Sequence, residues 1–101
     1  MFFFHRTSIN DAVEECRKTT GAVLVDVREA GEFRSGHIPG AINAPLSVID
    51  QVTLPKDKQL FVYCLRGTRS RRAVSRLTRM GYQNVKSIGG ITSYKGQVEK
   101  E

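Results

Sequence analysis

The sequence predicts an α/β domain with a mainly parallel central sheet flanked by helices. Three observations predict it. Apolar runs of strand length, Ala22 to Val27 and Leu60 to Tyr63, are continuous rather than alternating, as buried strands of a parallel sheet require. Segments with helical apolar spacing stand between them. The connecting stretches are short, the pattern of strand and helix in alternation. At 101 residues the chain suits one domain, expected over residues 1–101, with no repeat, linker or low-complexity segment.

Each element has a local reason. Thr7 or Ser8 can cap a first helix, whose stripe Ile9, Ala12, Val13 and Cys16 faces a core and which Gly21 ends. The strand Ala22 to Val27 follows, then a short acidic helix from Glu29 to Arg34 with Phe33 turned inward. Gly36-His37-Ile38-Pro39-Gly40 reads as a tight loop leading to a brief strand near Ala41-Ile42-Asn43. Pro45 introduces a short helix from Leu46 to Val52, closed by Leu54-Pro55. Gln59 to Tyr63 is the central strand. Ser70 to Met80 is a helix with Ala73, Val74, Leu77 and Met80 on its core side and Gly81 as its stop. Asn84 to Ile88 reads as the last strand, Gly89-Gly90 as a turn, and Ile91 to Val98 as a closing helix. Phe2 to Phe4 suit an edge strand or a patch over the core.

The totals narrow the function. No apolar run reaches the roughly 18 to 20 residues of a membrane span. The apolar start is broken by His5-Arg6 and lacks the apolar core and cleavage site of a secretory leader. With two cysteines in such a chain, a reducing, cytoplasmic setting is expected, as a monomer. The net charge is +6, and Arg66, Arg69, Arg71, Arg72, Arg76 and Arg79 cluster without an intervening acid. Arg72, Arg76 and Arg79 share one helix side and read as a solvated face. The cluster as a whole could steer a small anion or an acidic protein partner. Nucleic acid is not expected, because no stacking aromatics or binding motif accompany the charge. Two histidines and two cysteines at unrelated spacings give no metal site, and no cofactor is implied.

The chemistry concentrates at Cys64-Leu65-Arg66-Gly67-Thr68-Arg69-Ser70. A cysteine is carried to the tip of a buried strand, then a short glycine-containing loop opens a helix. Loop amides and the helix N-terminus direct partial positive charge at the sulfur, and Arg66 and Arg69 add full charges. Such surroundings lower a thiol from about 8.5 toward abundant thiolate at neutral pH. Cys64 is therefore the expected nucleophile. Cys16, on an apolar stripe, is expected to act as a small hydrophobe, with a resolving role as the lesser alternative. In sheets of this kind, sites form at the carboxyl ends of strands.

The order of motifs resembles a single-domain rhodanese, a sulfurtransferase module. The matching pieces are Val25-Asp26-Val27-Arg28-Glu29 with Glu32-Phe33, and Gly36 to Asn43. Val62-Tyr63-Cys64 with Gly67, Arg69-Ser70 and Ala73 follow, then Asn84-Val85 with Gly89-Gly90-Ile91. The resemblance implies a three-layer fold and a Cys64 persulfide loaded from thiosulfate, polysulfide or a persulfide. Cyanide or a thiol would then accept the sulfur. It implies that amides from Leu65 through Ser70, Thr68 among them, cradle the sulfur, and that Arg66 and Arg69 hold an anionic donor. His37 is expected to anchor its loop, and Asp26 and Arg28 to brace the strand end. Leu65 makes the entrance partly apolar, which favours persulfides or polysulfides. The alternatives are a persulfide carrier for a partner protein, a docking module without catalysis, and a phosphatase or arsenate reductase. The last is disfavoured because Ser70 stands where those loops need arginine.

Overall fold

A computed structural model describes residues 8–101; the Phe2 to Phe4 reading and Thr7 lie outside the described residues. Four strands, β1 (Val23–Asp26), β2 (Ile42–Asn43), β3 (Gln59–Cys64) and β4 (Asn84–Gly90), form one sheet in the order β2-β1-β3-β4. Every pairing is parallel. Three α-helices accompany them, α1 (Ile9–Lys18), α2 (Ala30–Ser35) and α3 (Thr68–Arg79), with short 3-10 helices at Leu46–Gln51 and Ile91–Ser93.

The pleat of β3 explains the three layers. Leu60, Val62 and Cys64 point to one face and pack with Ala73 and Leu77 of α3, Ile49 and Tyr82. Phe61 and Tyr63 point to the other and pack with Ile9, Ala12, Val13 and Cys16 of α1. Successive side chains of a strand alternate faces, so one fully buried strand needs a helix on each side. Ser8 caps α1 by accepting the Asp11 amide at 3.1 Å, which confirms the expected start and inward stripe.

The strand ends on the α2 side are braced by a buried ion pair. Asp26 accepts the Arg28 amide at 2.8 Å and the Arg28 guanidinium at 2.8–3.1 Å, and Arg28 also donates to the Gly36 carbonyl. Two buried charges are tolerated because each is answered by its partner and by further hydrogen bonds. His37 anchors its loop as expected. Its ring stacks on Phe33 with centroids 3.8 Å apart, and Nδ1 donates to the Phe33 carbonyl at 2.9 Å.

Two sequence expectations need correction. Gly89-Gly90 is not a turn but the end of β4. The register slips between Val62↔Ser87 and Tyr63↔Gly89, a bulge that sets Gly90 opposite Cys64. Nor does a helix run from Ile91 to Val98. It stops at Ser93, and Tyr94 is extended. Glu99 instead pairs with His37 through two backbone hydrogen bonds of 2.8 and 2.9 Å. Gly96 disfavours a helix there, and the terminal backbone finds partners beside α2.

Candidate active site

Cys64 ends β3 and is 1% exposed. Its Sγ accepts the Gly67 amide at 2.9 Å. The loop is shorter than expected, because α3 starts at Thr68 and not at Ser70. Gly67 caps the helix at φ +108°, in a region where a side chain is strained, so the turn that aims its amide at the sulfur requires glycine. Burial pushes the Cys64 thiol up. The polar groups of Ser70 beside the sulfur, with the Gly67 and Arg66 amides, more than offset it, leaving the thiol below its ordinary value. The lowering thus rests chiefly on neutral donors placed by the helix start. A ring of such donors suits a large, soft sulfur anion.

The loop is held on three sides. On one, a β-carbon at Gly90 would collide with the Leu65 carbonyl oxygen and lie 2.6 Å from the Arg66 nitrogen, so only glycine admits the loop there. The Leu65 carbonyl also accepts from the Thr92 amide at 3.2 Å and the Thr92 hydroxyl at 3.1 Å. Beneath, Ser70 is fully buried, donates to the Gly67 carbonyl at 3.0 Å and meets the Ser87 hydroxyl at 2.7 Å. On the α2 side, Arg69 forms a bidentate pair with Glu32 at 2.7 and 3.0 Å.

The two loop arginines therefore stand in different environments. Arg69 has its charge answered by Glu32, whereas Arg66 is exposed with no acidic partner among the described residues. Thr68 is exposed in the first turn of α3, and Leu65 is half-buried at the entrance. Glu32, Ser87, Gly90 and Thr92 carry no individual role in the sequence reading. The Glu32-Arg69 and Ser70-Ser87 pairs span 37 and 17 residues, and no local spacing announces them. Glu32 and Gly90 did appear as motif members, which was the available signal.

Cys16 and Cys64 are both free. They lie in core clusters on opposite faces of the sheet, so the sheet separates them. Burial pushes the Cys16 thiol up, as suits an inert packing residue. Among the described residues, no three histidine, cysteine or acidic side chains gather as a metal site needs. No helix among them is long and apolar enough to cross a membrane.

The Glu32-Arg69 brace has a pH signature. The Arg69 guanidinium, with help from the Glu29 amide, holds the Glu32 carboxyl down at about 2 against an ordinary 4.5. A carboxyl lowered by folding stabilises above its unfolded value, and that contribution is lost as pH falls through the folded value. The loss is expected between about pH 4.5 and about pH 2. Glu32→Gln, which retains the oxygen for the Glu29 amide, should be less stable by about 0.5–1 kcal/mol near neutrality, as a partly exposed pair warrants. Denaturant titrations at about pH 6 and about pH 2 should show that gap closing in acid; a gap independent of pH would contradict the pairing.

The model of the rhodanese-like domain matches residues 9–97. The chain belongs to the rhodanese-like family. A sulfurtransferase of Allochromatium vinosum is 35% identical over 79 residues, covering 75% of this chain and 74% of that protein. An adenylyltransferase and sulfurtransferase of Ogataea parapolymorpha is 35% identical over 92 residues, covering 87% of this chain. This chain spans only 24% of that protein's length. Among solved structures, the E. coli rhodanese with anions superposes with a TM-score of 0.72 at 30% identity, covering 79% of this chain and 99% of that one. Rhodanese-like membership and relatives named as sulfurtransferases support sulfur transfer in general.

Proposed function

We propose that the chain is a sulfurtransferase working through a Cys64 persulfide, and the observation that carries this is the Gly67 amide 2.9 Å from the Cys64 sulfur at the N-terminus of α3. The thiolate attacks the sulfane sulfur of a donor, a sulfur-sulfur bond forms, and the donor remainder leaves with the electron pair of the broken bond. Thiosulfate would release sulfite; a persulfide would release its thiolate. An acceptor, cyanide or a thiol, then attacks the outer sulfur of the Cys64 persulfide and regenerates the thiolate. Splitting the transfer into two displacements through a covalent intermediate is nucleophilic catalysis.

The residues divide the work. Amides of the Leu65 to Ser70 segment, with that of Gly67 bonded to the sulfur, hold its negative charge in both the thiolate and persulfide forms. Arg66 attracts the anionic donor, Arg69 fixes the loop against α2, and Thr68 opens the helix. Leu65 gives the entrance its apolar edge. Arg72, Arg76 and Arg79 are exposed on α3 and suit an acidic protein that delivers or collects sulfur. Delivery across that face should slow as salt shortens the reach of the charges, about 8 Å at physiological ionic strength. With free thiols required, a reducing cytoplasm fits the chemistry, and one chain supplies every group named.

Initial rates with thiosulfate and cyanide test the reading. Parallel double-reciprocal lines are expected, the pattern of a ping-pong mechanism. Aryl phosphates and arsenate should not turn over, because no arginine closes the loop as phosphoryl chemistry requires. Efficient aryl phosphate hydrolysis without sulfur transfer would overturn the assignment.

A further inference from the structure

We propose that Arg66 and Arg71 form an anion subsite beside the Cys64 loop that takes the carboxylate of a small organic persulfide donor; this rests on the sulfurtransferase reading. A cavity of about 630 Å³ lies between the N-terminal end of α1, β4 and the loop. Its wall includes Arg66, Gly67, Arg71, Lys86, Ser87 and Ser93, and no acidic residue. Lys86 is already paired with Glu15 at 3.2 Å. Arg66 and Arg71 have no acidic partner among the described residues, and residues 1–7 contain no acid in sequence. Two arginines without an acidic partner thus line one concave space.

The placement of Arg71 links that space to the reacting sulfur. Its Nη1 lies 3.3 Å from where a β-carbon of Gly67 would stand, so the guanidinium folds back over Gly67. The Gly67 amide is the group that donates to Cys64 Sγ. Arg66 also belongs to both structures, since it lies in the loop beside the sulfur and lines the cavity. A ligand anchored there has its charged end beside the loop that receives sulfur.

Size and chemistry select the ligand. A volume of this order matches pockets for organic molecules, about 300–1,000 Å³, and far exceeds what an inorganic oxyanion fills. A guanidinium fork suits a carboxylate through paired hydrogen bonds. Ile9, Ala12 and Ile88 give the cavity an apolar part for methylene groups. The donor class is then a low-molecular-weight thiol persulfide carrying carboxylates. In the transfer, the Cys64 thiolate attacks the outer sulfur of R–S–SH, and the bond between the donor's two sulfurs breaks. The electron pair leaves on R–S⁻, while the sulfane sulfur and its proton pass to Cys64. Nothing is oxidised or reduced overall.

The test compares two donors on the whole chain. Glutathione persulfide carries two carboxylates; cysteamine persulfide carries none and has an ammonium group instead. The measured quantity is the ratio of their kcat/KM values for loading Cys64. In Arg71→Ala that ratio should fall roughly tenfold or more, the scale of a lost charge-assisted contact, and through KM rather than kcat. Arg71→Lys should recover part of it, and Arg66→Ala should lower it in the same sense. An unchanged ratio in Arg71→Ala, or equal losses with both donors, would overturn the subsite while leaving the sulfurtransferase reading in place. Failure of the unaltered protein to load from any donor, inorganic polysulfide included, would overturn both.

Discussion

Cys64→Ser is expected to reduce sulfur transfer to background, a loss of roughly three orders of magnitude or more, while the domain stays folded. Removing a covalent nucleophile has effects on this scale. The physical reason is that only a thiolate at this position attacks sulfur, and a serine hydroxyl stays protonated in the same ring of donors. The change removes little packing. The substituted serine would still sit at the end of β3, and its oxygen can accept the Gly67 amide that the sulfur accepts at 2.9 Å. Stability should therefore shift by about 1 kcal/mol or less. Far-ultraviolet circular dichroism and thermal melts check the fold, and thiosulfate-cyanide turnover checks the chemistry. Cys16→Ser is the matched control: it should transfer sulfur and lose stability, since it places a hydroxyl in the stripe against Phe61 and Tyr63. An inactive but folded Cys16→Ser would put both thiols in the mechanism.

Gly90→Ala should have the next largest effect, although residue 90 bears no reactive group. The added carbon would lie 2.6 Å from the Arg66 nitrogen and against the Leu65 carbonyl oxygen, and both are backbone atoms that cannot swing aside. The loop has to move. Overpacking of this kind destabilises by about 1–3 kcal/mol. A shift of about 1 Å in a reacting group costs roughly a hundredfold in rate. The expected result is a folded variant with a transfer rate down roughly a hundredfold and a Cys64 thiol that titrates higher, because its amide donors have moved. The thiolate absorbance followed against pH reads the second effect directly. Wild-type rate and thiol titration in Gly90→Ala would show that the close approach does not set the loop.

The parts of this protein legible in its sequence are those whose cause is local. The unalternating run Leu60-Phe61-Val62-Tyr63 reads as a strand buried on both faces, and its side chains do divide between two core clusters. The stripe Ile9, Ala12, Val13 and Cys16 reads as one helix face and packs as one. Cys64 followed by a glycine and a helix start is likewise a local arrangement, and the structure keeps it. The parts that were not legible depend on partners far along the chain. Gly89-Gly90 has turn chemistry, yet pairing with Tyr63 and Cys64 and contact with the loop hold it in the sheet. Arg69 reads as a free loop cation until the fold brings Glu32 to it. Arg71 reads as one more helix arginine until its guanidinium is seen over Gly67. The closing segment has few helix-stabilising contacts of its own, and its pairing with His37 decides its course.

The most direct measurement of the central claim is the intact mass of the protein after incubation with a sulfur donor and removal of excess reagent. Thiosulfate, polysulfide and glutathione persulfide are to be used separately, each followed by treatment with cyanide. At least one donor should add a single sulfur atom to the wild-type chain, cyanide should remove it, and peptide mapping should place it on Cys64. Cys64→Ser should gain nothing. A chain that stays at its original mass with all three donors, or that loads equally with Cys64 replaced, would contradict the account.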